Sequence, residues 1–266
     1  DLARRKILPG LFRRHAAGQF PEAARIIGAA RSEMDDAGFR AEVRAAIAEF
    51  DPTRADAPEL PSFLERLSYV AIDAKGDTGW QALGARMRPG VVQAFYFSVA
   101  PALFDRTQKD FQSGYTPPEI EKARTFVAKP DWDAMLRDTD AALKDLKGVG
   151  PLGIVGFCMG GTIAFLAATR LSGLSAAVGY YGGRIVAFAD EKPKCPVQLH
   201  FGEKDASIPM SDVEIIKQKR SQDCEIFVYN EAGHGFHCDE RGSFHKGSAD
   251  IAWKRTTEFF AKHMNK

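Results

Sequence analysis

Two spacings of apolar residues alternate along the chain. Short continuous apolar runs, bounded by glycine, proline and charged residues, read as buried strands. Between them apolar residues recur every three to four positions, as in helices with one buried face. In the first hundred residues this pattern predicts a helix over 2–15 broken at Pro9-Gly10, a strand over 25–30 and an amphipathic helix over 34–50 capped by Ser32. Pro52, Pro58 and Pro61 mark a loop. A strand over 67–72, a short helix near 80–87 and a strongly apolar strand over 91–99 follow. Further along, helices are predicted over 118–127, 132–146, 159–171, 210–220 and 248–263, with strands over 152–157, 176–181, 197–201 and 225–229. The alternation implies an α/β fold, a parallel sheet of about seven strands covered on both faces as a three-layer sandwich.

Composition agrees with that picture. The 266 residues are 45% hydrophobic and 27% charged, enough for a large core that needs neither disulfide nor metal. Thirty-six basic residues against 35 acidic leave a net charge of +1, with no field to attract nucleic acid or an anionic membrane. No apolar run approaches the roughly 20 residues needed to span a bilayer. The opening Asp1-Leu2-Ala3-Arg4-Arg5-Lys6 has charges without an apolar stretch behind them, unlike a secretory signal, and the missing initiator Met suggests a fragment.

Charge changes the picture in one respect. Residues 1–104 carry 12 Arg and 2 Lys, whereas residues 105–266 carry 8 Arg and 14 Lys. Folding gives no reason for such a step, which points to two sources for the chain and a division into segments 1–104 and 105–266.

The chemistry is concentrated in the second segment. Cys158, Cys195, Cys224 and Cys238 include no C-x-x-C pair, and their scatter suits reduced thiols in a cytoplasmic protein. Cys195 and Cys224 each precede an apolar run and read as buried thiols at strand starts. Gly156-Phe157-Cys158-Met159-Gly160-Gly161 joins a predicted strand to a predicted helix, the nucleophile-elbow pattern with cysteine as nucleophile. Gly156 and Gly160 are expected to prevent clashes in a strained turn, and Gly161 to let the helix approach the sheet. The helix start would lower the thiol pKa and offer the Met159 N–H to an oxyanion. Asp205 follows the strand ending His200-Phe201-Gly202, and His234 lies in Ala232-Gly233-His234-Gly235-Phe236 after the last strand. The order nucleophile, acid, base, each just after a strand, is that of α/β-hydrolases. His237-Cys238 beside His234 lacks a further ligand at suitable spacing, so no metal is expected.

With Val178-Gly179-Tyr180-Tyr181-Gly182-Gly183, these motifs closely resemble the dienelactone hydrolase family from Leu103 to the C-terminus. The resemblance implies an α/β-hydrolase-like half that cleaves a lactone or carboxylic ester through an acyl-enzyme on sulfur. Cys158 would be the nucleophile, His234 the proton shuttle, and Asp205 the residue orienting it. It implies substrate-binding roles for Arg106, opposite a substrate carboxylate, and for Tyr180. A second carboxylate-binding arginine of some members would fall at Cys238, a departure that bears on substrate choice. The resemblance implies a small-molecule substrate, no cofactor, and a monomer.

Residues 1 to about 104 resemble a truncated N-terminal part of glucose-6-phosphate dehydrogenase, on 1–9, 25–31, 63–69 and 95–101. In that family Arg31 would follow a strand and meet the 2′-phosphate of NADP. The Gly-rich phosphate loop that should precede it is not in this sequence, nor is the Gln-Glu-Ile-Phe-Gly-like loop that supplies a hydrolase's second oxyanion donor. The expectation is a recombined chain, a Rossmann-like segment joined near Ala100–Phe104 to a hydrolase half. An NADP-binding remnant and a catalytically poor hybrid are the alternative readings.

Overall fold

Helical and extended segments alternate as the pattern predicts, in a computed structural model that describes residues 3–20, 22, 24–30, 32–72, 78–86, 118–119, 121–122, 125, 128–146, 150–239 and 241–264. The chain divides into two units, Asp1–Arg88 and Pro89–Lys266. The predicted strand over 91–99 and most of the helix over 118–127 lie outside the described residues.

In the first unit a π-helical turn, Ala3–Ile7, runs directly into α1, Leu8–Ala16. Pro9 therefore does not break the helix. It occupies the first turn, where its missing N–H costs nothing, and the irregularity is displaced into the preceding π turn. Strand β1 (Ile26–Ala30) leads to α2 (Asp36–Phe50), then to α3 (Leu60–Glu65), β2 (Leu67–Ala71) and α4 (Trp80–Arg86). The cap of α2 is Asp35 and not Ser32: its carboxylate accepts the Gly38 N–H at 2.7 Å. β1 and β2 are parallel, from Ile26 opposite Leu67 to Ala30 opposite Ala71. Phe12, Val43, Ile47, Leu60, Phe63 and Leu67 form their own buried cluster under this β-α-β arrangement.

In the second unit, α5 (Trp132–Asp145) precedes β3 (Leu152–Phe157), α6 (Met159–Arg170) and β4 (Leu174–Tyr180). After a 3-10 turn come β5 (Val197–Gly202), α7 (Met210–Arg220), β6 (Cys224–Tyr229) and α8 (Lys246–Met264). The four strands are parallel in the order β3-β4-β5-β6. All of β5 and the last five residues of β4 are buried, as strands covered on both faces must be. Both covers are visible along β3. A Cβ on Gly153 would strike Phe260 and Met264 of α8, whereas one on Gly156 would strike the start of α6. Residues 153 and 156 point to opposite faces, so the layers are helix, sheet and helix. Among the described residues no helix is long and apolar enough to cross a membrane.

Candidate active site

The carboxyl ends of β3, β5 and β6 each deliver one polar side chain to the same edge of the sheet. At β3 the chain turns sharply, placing Cys158 at φ 56° and ψ −119°. A non-glycine residue there is strained, and its N–H donates to the Tyr180 carbonyl at 3.0 Å to hold the turn. The crossing of strand and helix explains Gly156: a Cβ would lie 1.9 Å from the Gly160 carbonyl oxygen. Gly161 is equally constrained, 2.5 Å from the Tyr180 carbonyl oxygen. Gly160 differs from expectation, because a Cβ there would meet open space. It is its backbone, not its lack of a side chain, that makes the crossing tight.

Cys158 Sγ lies 3.2 Å from His234 Nε2, and His234 Nδ1 lies 2.8 Å from Asp205 Oδ2. Asp205 is buried, and its other oxygen accepts the N–H groups of Ser207 at 2.8 Å and Ile208 at 3.2 Å. These donors fix the carboxylate and leave one oxygen for the imidazole. Cys158 is an exposed residue at this edge, although its thiol is itself largely covered by its neighbours. Burial pushes the Cys158 thiol up. The His234 hydrogen bond and charge, the Met159 N–H and the Arg241 charge outweigh burial, leaving the thiol below its ordinary range. Burial alone would lower His234, but hydrogen bonds and charge from Asp205 and Cys158 raise it to about 9. Both shifts favour a thiolate–imidazolium pair.

The structure thus brings Cys158, Met159, Asp205 and His234 together, as the sequence order suggested. Tyr180 is corrected. Its side chain is fully buried, its hydroxyl shares a 2.6 Å hydrogen bond with Thr256, and its ring stacks on His200 at 4.4 Å. It offers no surface to a ligand and supports the elbow from beneath. Arg106 and Arg31 lie outside the described residues. Cys195 and Cys224, read as strand-start thiols, are half-buried and buried, and burial pushes them up to about 11 and about 12. Among the described residues no group of three or more His, Cys, Asp or Glu could hold a metal ion.

Three neighbours were not evident from sequence. The Tyr181 ring, at φ 39°, lies 5.2 Å from that of His234. Arg241 packs against Gly235, where an added Cβ would meet its guanidinium at 2.8 Å. Ser243 donates its hydroxyl to the His234 carbonyl at 2.7 Å. Their signals are spatial; no local pattern announces them.

The family model described as "Dienelactone hydrolase family" matches residues 80–264. The chain belongs to that family. It is a hydrolase of the dienelactone hydrolase type on a parallel-sheet α/β fold. A second model, "Glucose-6-phosphate dehydrogenase, NAD binding domain", matches residues 1–135, so parts of two families meet in one chain. A Synechocystis protein named "Putative carboxymethylenebutenolidase" is 34% identical over 192 residues, covering 65% of this chain and 78% of its own length. The crystal structure of a "Putative Dienelactone Hydrolase" from Klebsiella pneumoniae superimposes with TM-score 0.52 at 32% identity, over 60% of this chain and 72% of its own. Glucose-6-phosphate 1-dehydrogenase of Rhizobium meliloti is 39% identical over 107 residues, which is 39% of this chain but only 22% of that protein's length.

Proposed function

We propose that this hydrolase opens a lactone or carboxylic ester of the dienelactone type through a covalent acyl-enzyme on Cys158. What supports this reading above all is the chain of contacts from Cys158 Sγ through both His234 nitrogens to Asp205. The thiolate attacks the ester carbonyl carbon, and the resulting oxyanion accepts the Met159 N–H. As the C–O bond breaks, the His234 imidazolium gives its proton to the departing oxygen. His234, now neutral, takes a proton from a water molecule, which attacks the thioester and releases the carboxylic acid with Cys158 as thiolate. Asp205 holds the Nδ1 side throughout, fixing tautomer and ring orientation. The resemblance to the dienelactone hydrolase family gives Arg106 the role of meeting a substrate carboxylate, a group that a guanidinium fork can bind in two parallel bonds.

The test is hydrolysis of an activated ester by the purified chain and by Cys158→Ala. Loss of turnover to the background rate is expected; turnover that survives the substitution sinks the assignment.

A further inference from the structure

His234 sits in Ala232-Gly233-His234-Gly235, a run whose glycines leave the backbone easily moved. A proton-transferring group nevertheless has to keep its place to a fraction of an ångström. The described contacts show where stiffness enters. The segments leaving β5 and β6 run side by side: the Glu203 N–H donates to the Tyr229 carbonyl at 3.0 Å, and the Lys204 N–H to the Ala232 carbonyl at 2.9 Å. Glu231 then reaches back twice. Its N–H donates to the Glu203 carboxylate at 3.3 Å, and its own carboxylate accepts the Lys204 ammonium.

Glu231 adopts φ 63°, a left-handed conformation free to glycine and unfavourable for glutamate. The chain therefore places a strained glutamate three residues before His234, and its side chain closes on the residue immediately before Asp205. We propose that Glu231, through its ion pair with Lys204, is a positioning residue that fixes His234 against Asp205. The proposal rests on the reading of His234 as the proton shuttle of Cys158. Lys204 and Glu231 are both more than half exposed, and ion pairs of that exposure contribute little to folding. A loss of function on breaking the pair would accordingly reflect placement, not a weakened core.

Glu231→Asn keeps a residue that tolerates the left-handed turn but cannot reach Lys204. Lys204→Met removes the partner and leaves the Glu231 backbone untouched. Each is expected to lower kcat about three- to tenfold with KM unchanged. Each should also move the ultraviolet thiolate titration of Cys158 to higher pH, a readout that needs no turnover. The double variant should be no worse than either single one, because both remove the same contact. Wild-type kcat and titration in the single variants, or losses that multiply in the double, would overturn the proposal. So would a lowered melting temperature with an unmoved titration. Turnover retained by Cys158→Ala brings down the underlying reading instead, whatever the paired variants do.

Discussion

Cys158, His234 and Asp205 are spaced 76 and 29 residues apart in sequence, yet each was legible because its surroundings are local. A strand end, a small-residue turn and a helix start are written within six residues at Cys158, and the other two sit directly after apolar runs. What escaped is set by space, not by sequence. Tyr180 and Tyr181 are both buried, and which of the two rings meets His234 depends on one alternation at a strand end. Glu231 has no signature at all, since its strain and its partner exist only once β5 and β6 lie together. The electrostatics yield a pH prediction at this scale. The stability that His234 draws from its partners, its pKa raised from 6.5 to about 9, is fully present below pH 6.5 and is lost as pH climbs through about 9, where the imidazolium itself deprotonates. The activity profile should rise as Cys158 deprotonates below the ordinary thiol range and fall with a midpoint near 9. A falling limb near the unperturbed histidine value would show that Asp205 and the thiolate do not hold the imidazolium.

At the level of elements, the period of the apolar pattern found every described strand and helix that positions the site. The ends moved by a residue or two, as caps outside the pattern decide them; Asp35 rather than Ser32 is the plainest case. A 3-10 turn over Ile185–Phe188 had no pattern of its own. Less visible still was the polar layer between β5, β6 and α8. His200 is fully buried, with Nδ1 at 2.8 Å from the Tyr229 hydroxyl and Nε2 at 2.9 Å from Gln198 Oε1. Burial first, then the charge of Arg255, push its pKa down to about 3, so it stays neutral and serves as a hydrogen-bonding strut. The Tyr181 N–H donates to the His200 carbonyl at 2.7 Å, which ties this strut to the residue whose ring lies beside His234. Tyr229→Phe leaves one buried imidazole nitrogen without its partner and should cost about 1–3 kcal/mol in chemical denaturation. An unchanged midpoint would mean the hydrogen bond is not part of what holds β5 to β6.

The molecule as a whole joins matches to two families, which overlap over residues 80–135. The step from arginine to lysine near residue 104 made that visible in composition before any geometry. The N-terminal unit keeps the parallel β1–β2 pair of a Rossmann-like segment, while the hydrolase unit keeps the sheet edge that carries Cys158, Asp205 and His234. Among the described residues Met159 supplies a backbone N–H at the sulfur. A site lacking one oxyanion donor typically loses about 10²–10³ in rate. Slow turnover is therefore compatible with an intact nucleophile, and a rate alone is a poor test. The direct measurement is the intact mass of the chain, quenched early after mixing with an activated ester. The account predicts one acyl group gained by the wild-type chain, mapped to Cys158 and missing from Cys158→Ala. A chain that hydrolyses the ester without ever carrying the group, or carries it on another residue, would contradict it.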